Sequence, residues 1–336
     1  MQHLAYLGTD SVRGSQGIYT VALDSDSGNL TLKGTVPALN SGYITRSVDG
    51  KMLYAAVESM VMDGRACGGV GVYKIGDDGL PYFVNRLPAD GQLICHISCD
   101  EKFVYASSYL AGTVTIYPIA EDGTLKEYCK VIRHSGKDGY APHIHCAKPT
   151  ADGKYLCVVE VGYHAVCLYD KVNFEKQYEI RTKPVRPRQI VSTEKCIYLI
   201  TEGGMTVDEY AYTPDAEEKL VLRQSLSCNP DGFRGMGGSG GIRMSPDGKY
   251  IFGAIRGVDV IAVFAVDENG SLTKKSVTKM CGSTPRDFNV SPDGKYLLVG
   301  LQKSDCMAVY RFVAETAELE LVVENFAVPS CSCVEF

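Results

Sequence analysis

The segments SPDGKYIFGA at residues 245–254 and SPDGKYLLVG at residues 291–300 are two copies of one phrase, and its repetition decides the fold. Related copies occupy residues 47–56, 98–107 and 150–159, and a degenerate copy, STEKCIYLIT, occupies 192–201. Each copy has a polar turn, usually Asp-Gly, between two short runs rich in Val, Ile, Tyr, Phe and Leu, which is the pattern of a β-hairpin. The turns recur every 41 to 54 residues. Periods of this size indicate a propeller, a solenoid or an array.

The residues around each hairpin complete a four-stranded unit. A third apolar run, such as TVTIYPI at 113–119, is followed by a polar loop and a fourth run, without sustained helical periodicity. Six complete units begin near residues 42, 94, 143, 186, 240 and 285, which leaves three strands at the N-terminus and one, SCSCVEF at 330–336, at the C-terminus. A pair of β-sandwiches would not keep so regular a turn, and an open array would need polar caps. We therefore predict an all-β, seven-bladed β-propeller with four-stranded antiparallel blades, a single domain over residues 1–336, closed by the C-terminal strand joining the N-terminal blade.

Composition limits the possible partners. The 336 residues include 34 Lys and Arg against 40 Asp and Glu, and this acidic balance argues against a nucleic-acid partner, which requires basic excess. The N-terminus lacks a basic segment followed by an apolar stretch, and no segment approaches about 18 apolar residues, so we expect a cytoplasmic protein with no membrane partner. The thirteen cysteines are odd in number and form no C-x-x-C pair, which favours reduced thiols in the core.

Unusual polar residues recur at two positions of each blade. The strand before each turn lines the central channel, and the next strand runs back beside it, so the start of the first and the end of the second meet at one mouth. The inner-strand starts include His96, His143, His145, Arg188 and Arg286. The returning ends include Glu58, Tyr109, Glu160, Glu202, Arg256 and Gln302. Taken singly, a histidine there is more often structural, and an arginine after proline can simply bridge blades. The repeated Pro-Arg in separate blades nevertheless favours a shared anionic ligand.

Several phrases resemble those of a known family. They are PHIHCAKPTADGKY at 142–155, PRQIV at 187–191 and PRDFNVSPDGKYLLVGLQKSD at 285–305. With them the chain resembles the bacterial seven-bladed propeller lactonases, which include cycloisomerase-like 6-phosphogluconolactonases and, more distantly, carboxy-cis,cis-muconate cyclase. The resemblance implies a catalytic set of four residues, His145, Arg188, Glu202 and Arg286. The chain departs from many relatives at Gly241, where they carry an acidic residue, and at Ile255.

The resemblance implies the opening of a small anionic lactone by an activated water. We expect His145 to be the general base or proton shuttle, with Glu202 orienting it, although Glu202 could itself be the base. Arg188 and Arg286 would bind the phosphate or carboxylate and stabilise the tetrahedral intermediate. The expected substrate contacts are His96, His143, Tyr109, Glu160, Arg256 and Gln302. A phosphosugar lactone is the first expectation for the substrate, and an organic-acid lactone is the second.

Different functions have weaker support in the sequence. No cofactor and no metal are expected, although Glu58, Glu160 and Glu202 leave divalent-metal catalysis open. The stretch GGSGG at 237–241 matches the G-x-S-x-G pattern of serine hydrolases, but it precedes a strand where that pattern needs a strand-to-helix turn, so a loop at the mouth is expected. A lactone-forming isomerase and a non-enzymatic scaffold for protein partners also stay open. The sequence does not address the oligomeric state.

Overall fold

The computed structural model describes residues 1–183 and 185–336, and it contains seven four-stranded antiparallel sheets. We number these blades in chain order. Blade 1 contains β4 (Ile44–Arg46), β5 (Met52–Met62), β6 (Arg65–Ile75) and β7 (Pro81–Pro88). Blade 2 contains β8 (Ile94–Cys99), β9 (Phe103–Ser108), β10 (Thr113–Pro118) and β11 (Lys130–Arg133). Blade 3 contains β12 (Ile144–Pro149), β13 (Tyr155–Glu160), β14 (Ala165–Asp170) and β15 (Lys176–Arg181). Blade 4 contains β16 (Pro187–Ser192), β17 (Cys196–Thr201), β18 (Thr206–Tyr212) and β19 (Leu220–Ser227). Blade 5 contains β20 (Gly238–Met244), β21 (Tyr250–Arg256), β22 (Val260–Val266) and β23 (Leu272–Lys279). Blade 6 contains β24 (Pro285–Val290), β25 (Tyr296–Leu301), β26 (Cys306–Val313) and β27 (Glu318–Ala327).

Blade 7 joins the two ends of the chain. The C-terminal strand β28 (Cys331–Glu335) is its innermost strand, followed by β1 (Gln2–Thr9), β2 (Gly17–Asp24) and β3 (Leu30–Pro37). Strand β28 pairs antiparallel with β1, with Glu335 opposite Tyr6. The predicted seven-bladed propeller, including its closure by the C-terminal strand, is therefore confirmed.

The conformation of the hairpin turn explains why its sequence repeats. In blade 5 the Ser245 hydroxyl donates to Asp247 Oδ1 over 2.6 Å, and Asp247 Oδ1 in turn accepts from the backbone N–H of Lys249. Gly248 has φ +74°, a left-handed conformation that side chains other than glycine rarely adopt. Because the same hydroxyl–carboxylate contact and a positive φ recur at Ser291, Asp293 and Gly294, the phrase is required by the turn and says little about function.

Tyrosines on second strands attach neighbouring blades to each other. The hydroxyl of Tyr198 in blade 4 donates to the carbonyl of Gly270 in blade 5 over 2.7 Å. Tyr54 makes the same contact with Gly123 of the next blade, also over 2.7 Å. Each such side chain is fully buried between two sheets, so the ring depends on these contacts as well as on apolar packing.

Removing one of these hydroxyls is expected to destabilise the protein. In Tyr198→Phe the buried carbonyl of Gly270 loses its donor, and we expect the free energy of unfolding to fall by about 1–2 kcal/mol. Urea denaturation measures the change. The matched control is Tyr140→Phe at a half-exposed tyrosine, where we expect no significant change. Equal effects of the two substitutions would contradict this role of the hydroxyl.

The cysteines belong mainly to the packed β interior, and the described residues contain one helical element, the 3-10 helix Gln302–Ser304. All thirteen cysteines are free, and nine of them are buried, which matches their expected role as small apolar residues. Over the described ranges, none of the helical segments has the length and apolar character needed to cross a membrane.

Candidate active site

A β-bulge interrupts the beginning of the innermost strand in five blades. In blades 2, 3, 4, 6 and 7 the pairing with the second strand skips the second residue of the inner strand. A bulge breaks the alternation of the pleat and turns one side chain in a new direction. The skipped residues are Cys95, His145, Arg188, Arg286 and, in blade 7, Ser332. The first four line one cavity, so the same irregularity brings one side chain from each of blades 2, 3, 4 and 6 to a common space.

This cavity, called the basin from here on, has a volume of about 620 Å³. Loops and strand ends complete it with further polar side chains, namely Asp10, Asn40, Glu58, Tyr109, Arg186, Glu202 and Arg256. The basin is large enough for a small organic molecule. Its lining contains both cationic and acidic groups, so its electrostatics depend on how these groups pair.

Four arginines form one side of the basin, called the arginine wall. They are Arg186, Arg188, Arg256 and Arg286. Glu202, which follows β17, accepts from Arg188 Nη1 at 2.6 Å and from Arg256 Nη2 at 2.7 Å, and Arg186 Nη2 lies 3.2 Å from its other oxygen. One carboxylate therefore faces four guanidinium groups, and the wall has a net positive charge that suits an anionic ligand.

The arginine wall controls the protonation of Glu202. Burial raises the pKa of this carboxyl, but the charges of Arg188, Arg256 and Arg186 outweigh that effect and hold the pKa below its ordinary value of 4.5. The carboxylate is thus ionised near neutral pH and already accepts hydrogen bonds from two of the arginines. These properties make Glu202 a weak proton acceptor and a good anchor for the guanidinium groups.

Burial and mutual repulsion lower the pKa values of two arginines of the wall. Burial, followed by repulsion from Arg188, lowers the pKa of Arg256 to about 9. The same two causes lower the pKa of Arg286. An anionic ligand at the wall would reduce this repulsion, so binding of a negative group is favoured electrostatically.

His145 lies beside the arginine wall and is 5% exposed. Burial first, and then the positive charges of Arg188 and Arg286 with the neighbouring His96, hold its pKa well below the usual 6.5. Its Nδ1 is buried and has no hydrogen-bond partner in the described part of the chain. At neutral pH the imidazole is therefore neutral and has a lone pair that can accept a proton.

Tyr109 and His143 form a stacked pair next to His145. Their ring centroids lie 4.5 Å apart at an interplanar angle of 6°, and Tyr109 meets the His145 ring edge to face at 6.1 Å. His143 Nδ1 lies 3.0 Å from the Tyr109 carbonyl oxygen, which fixes the pair. Of the two residues of this pair, Tyr109 lines the basin and His143 does not. The sequence predicts His143 as a substrate contact, whereas in the structure it packs behind Tyr109 and supports it.

Glu160 requires a correction, because its carboxylate is turned away from the basin. The side chain is fully buried, and it accepts from the backbone N–H groups of His143 at 2.6 Å and Gly162 at 2.8 Å. Its second oxygen lies 2.9 Å from His134 Nδ1. Since both oxygens already have partners outside the basin lining, one of them on the segment that follows β11 of blade 2, Glu160 is not placed to bind a substrate in the basin.

His96 and Gln302 also lie outside the basin. His96 follows the bulged Cys95, so the pleat places it one layer deeper, where it is 1% exposed and its Nε2 lies 3.4 Å from Cys146 Sγ. Gln302 donates its side-chain N–H to Asp10 Oδ2 and lines a cavity next to the basin, so its role as a substrate contact stays a prediction. The sequence predicts His96 at the mouth as the start of an inner strand, but the bulge in blade 2 brings Cys95 to the basin instead.

The structure thus brings His145, Arg188, Glu202 and Arg286 to one basin, together with Tyr109 and Arg256. Their catalytic and binding roles stay predictions. Eight further lining residues were not predicted from the sequence, and four of them, Asp10, Asn40, Cys95 and Arg186, have ionisable or hydrogen-bonding side chains. Cys95 stands at the position equivalent to His145, so an alignment of the inner strands could have found it.

The positions of the glutamates and of Ser239 argue against a glutamate metal site and against a serine nucleophile. Glu58 and Glu202 line the basin but Glu160 does not, and within residues 1–183 and 185–336 no group of three or more His, Cys, Asp or Glu is arranged to hold a metal ion. Ser239 lies inside strand β20, fully buried, and not at a strand-to-helix turn. The sequence predicts a loop for the glycine-rich stretch, but most of it belongs to that strand.

The fold and the basin define a class of protein, a seven-bladed propeller in which a histidine and an arginine wall line one basin. The chain belongs to the family described as "Lactonase, 7-bladed beta-propeller", whose model matches residues 4–336. It is 30% identical to the 6-phosphogluconolactonase of Bacillus subtilis, over 100% of this chain and 98% of that protein.

Solved structures share the same fold. A protein from Lactobacillus plantarum is 26% identical and superposes with a TM-score of 0.90, covering 99% of both chains. The periplasmic gluconolactonase of Pseudomonas aeruginosa is 23% identical with a TM-score of 0.89, covering 99% of this chain and 98% of the other. At that identity the second similarity concerns the fold alone.

Proposed function

We propose that this protein hydrolyses an anionic sugar lactone, with 6-phosphogluconolactone as the leading substrate. One observation carries the proposal: a neutral histidine, His145, and the guanidinium of Arg286, which has no ion pair within the described residues, stand at equivalent bulged positions and line the same basin. Membership of the lactonase family and the similarity to the Bacillus enzyme support both the reaction and the substrate. No part of the proposal requires a cofactor.

In the proposed reaction His145 is the general base. It removes a proton from a water molecule as the water oxygen forms a bond to the lactone carbonyl carbon, and Arg188 stabilises the negative charge that develops on the carbonyl oxygen. The tetrahedral intermediate then collapses, the ring C–O bond breaks, and the leaving oxygen takes the proton from His145. The product is a hydroxy acid, whose carboxyl group releases its own proton to solvent and is held as a carboxylate at the arginine wall.

Glu202 is assigned as a positioning residue. Its contacts with Arg188 and Arg256 hold those guanidinium groups in place, and its lowered pKa disfavours proton removal from water. This assignment selects between the two bases that the sequence left open.

The experiment that tests the function measures the rates at which the unmodified protein hydrolyses several lactones. We expect rapid hydrolysis of 6-phosphogluconolactone above the spontaneous rate, and unchanged activity after treatment with EDTA. A protein that leaves 6-phosphogluconolactone, glucono-δ-lactone and simple aliphatic lactones at their spontaneous rates would contradict the proposal. Loss of activity on chelation would instead support metal catalysis.

The pH dependence of kcat/KM should report the base. Neutral His145 is the active form, so the rate falls as pH drops through its pKa, and because that pKa lies well below 6.5 the fall should begin below pH 6.5. Steady-state rates measured over a pH series with 6-phosphogluconolactone check this. The acidic limb should persist in Glu202→Gln if His145 is the base. A limb centred at or above pH 6.5, or one that disappears in Glu202→Gln, would contradict the assignment.

A further inference from the structure

A second cavity adjoins the basin and shares the arginine wall with it. This side cavity has a volume of about 510 Å³, and Arg186, Glu202, Arg256 and Arg286 line both spaces. Its outer part is formed by the ends of blades 5 and 6, where Lys303 stands at the rim. A ligand bound at the wall can therefore extend from the basin into the side cavity.

The side cavity contains positive charge without an equal number of carboxylates. Arg186, Arg188 and Arg256 each pair with Glu202, whereas the Arg286 guanidinium and the Lys303 ammonium make no ion pair with any residue that the structure describes. Asp259, the other acidic residue of the lining, already accepts from the backbone N–H of Thr284 at 2.8 Å. Two cations are thus available to a ligand.

The glycines that line the cavity leave room beside the wall. A Cβ atom at Gly238 would stand 3.4 Å from Arg256 Nη2, so any larger side chain there would occupy the space next to this guanidinium. At Gly237 a Cβ atom would stand 2.8 Å from the backbone carbonyl oxygen of Arg256, so the chain there packs too closely for a side chain. The absence of a side chain at Gly238 therefore keeps the Arg256 guanidinium accessible.

We propose that the side cavity binds a phosphate group carried by the substrate at the end remote from the lactone, and that Lys303 selects for it. The inference rests on the proposed function and deepens it, since it assigns substrate selection to a residue outside the basin. Arg286, which lines both spaces, offers a planar set of donors, and the Lys303 ammonium adds a point charge at the rim. A lactone without the phosphate would occupy the basin alone.

The test compares two substrates and two lysines. In Lys303→Gln we expect KM for 6-phosphogluconolactone to rise about tenfold, with kcat and the kinetics of glucono-δ-lactone unchanged, and a larger rise in Lys303→Glu. The matched control is Lys249→Gln, at an exposed lysine in a hairpin turn at the opposite end of the channel. This variant should leave KM and kcat unchanged for both substrates. Equal changes for both substrates, or no change for either, would overturn the inference.

Calorimetry with inorganic phosphate gives a readout that does not depend on catalysis. We expect the unmodified protein to bind phosphate, and Lys303→Glu to weaken that binding at least tenfold relative to Lys249→Gln. If the protein hydrolyses no lactone yet binds phosphate through Lys303, the proposed function fails and the phosphate site stands. If it hydrolyses 6-phosphogluconolactone while Lys303→Glu leaves both KM and phosphate binding unchanged, the phosphate site fails and the function stands.

Discussion

Replacing His145 with alanine is expected to lower kcat for lactone hydrolysis by about 10²–10⁴-fold, with a smaller effect on KM. The substitution removes a neutral imidazole from the lining of the basin, while the arginine wall proposed to bind the anion is retained. Because the base acts on the water in the transition state, its loss should appear mainly in kcat. Steady-state kinetics with 6-phosphogluconolactone measure the effect.

The control for this variant is His164→Ala. His164 lies in a loop of blade 3 outside the basin lining, and its replacement should leave kcat within about twofold of the unmodified protein. Thermal unfolding of both variants separates a loss of catalysis from a loss of folded protein. If folded His145→Ala keeps more than a tenth of the original kcat, His145 is not the general base.

Replacing Arg188 with alanine should lower kcat/KM by about 10²–10³-fold, because a donor to a developing oxyanion contributes about 3–4 kcal/mol. Arg188 is 5% exposed and donates to Glu202 at 2.6 Å, so its guanidinium is held in a fixed orientation at the basin. Arg188→Lys restores the charge without the planar fork, and we expect it to recover only part of the activity.

The exposed Arg311 provides the control, and Arg311→Ala should leave kcat/KM unchanged. Glu202 keeps Arg256 and Arg186 as partners in Arg188→Ala, which limits the damage to the fold. Activity of Arg188→Ala equal to that of Arg311→Ala would exclude a role of Arg188 in the reaction.

The fold could be predicted because its turn has a strict chemical requirement. A hydroxyl at Ser245 or Ser291, an aspartate two residues later and a glycine with positive φ must recur in each blade that uses this turn, so the sequence repeats visibly. The seventh blade followed from counting unmatched strands at the two ends of the chain. Neither inference needed side-chain contacts over long distances.

The site could be predicted only in part, because two of its determinants leave no local pattern. The bulge in β8 moves His96 out of the mouth and Cys95 into it, and register shifts of this kind depend on pairing with the next strand. Glu160 was misplaced for a different reason: its partner His134 comes from a separate segment, and burial of that pair is a property of the folded blade.

The most direct test of the shared basin is a crystal structure of the protein with 6-phosphogluconate, the product of the proposed reaction. We predict that the carboxylate of the product lies within about 2.7–3.1 Å of Arg188 donors and beside His145, with its hydroxyl chain along the arginine wall. A product molecule bound away from the basin, or one in the basin that contacts neither His145 nor Arg188, would contradict the account.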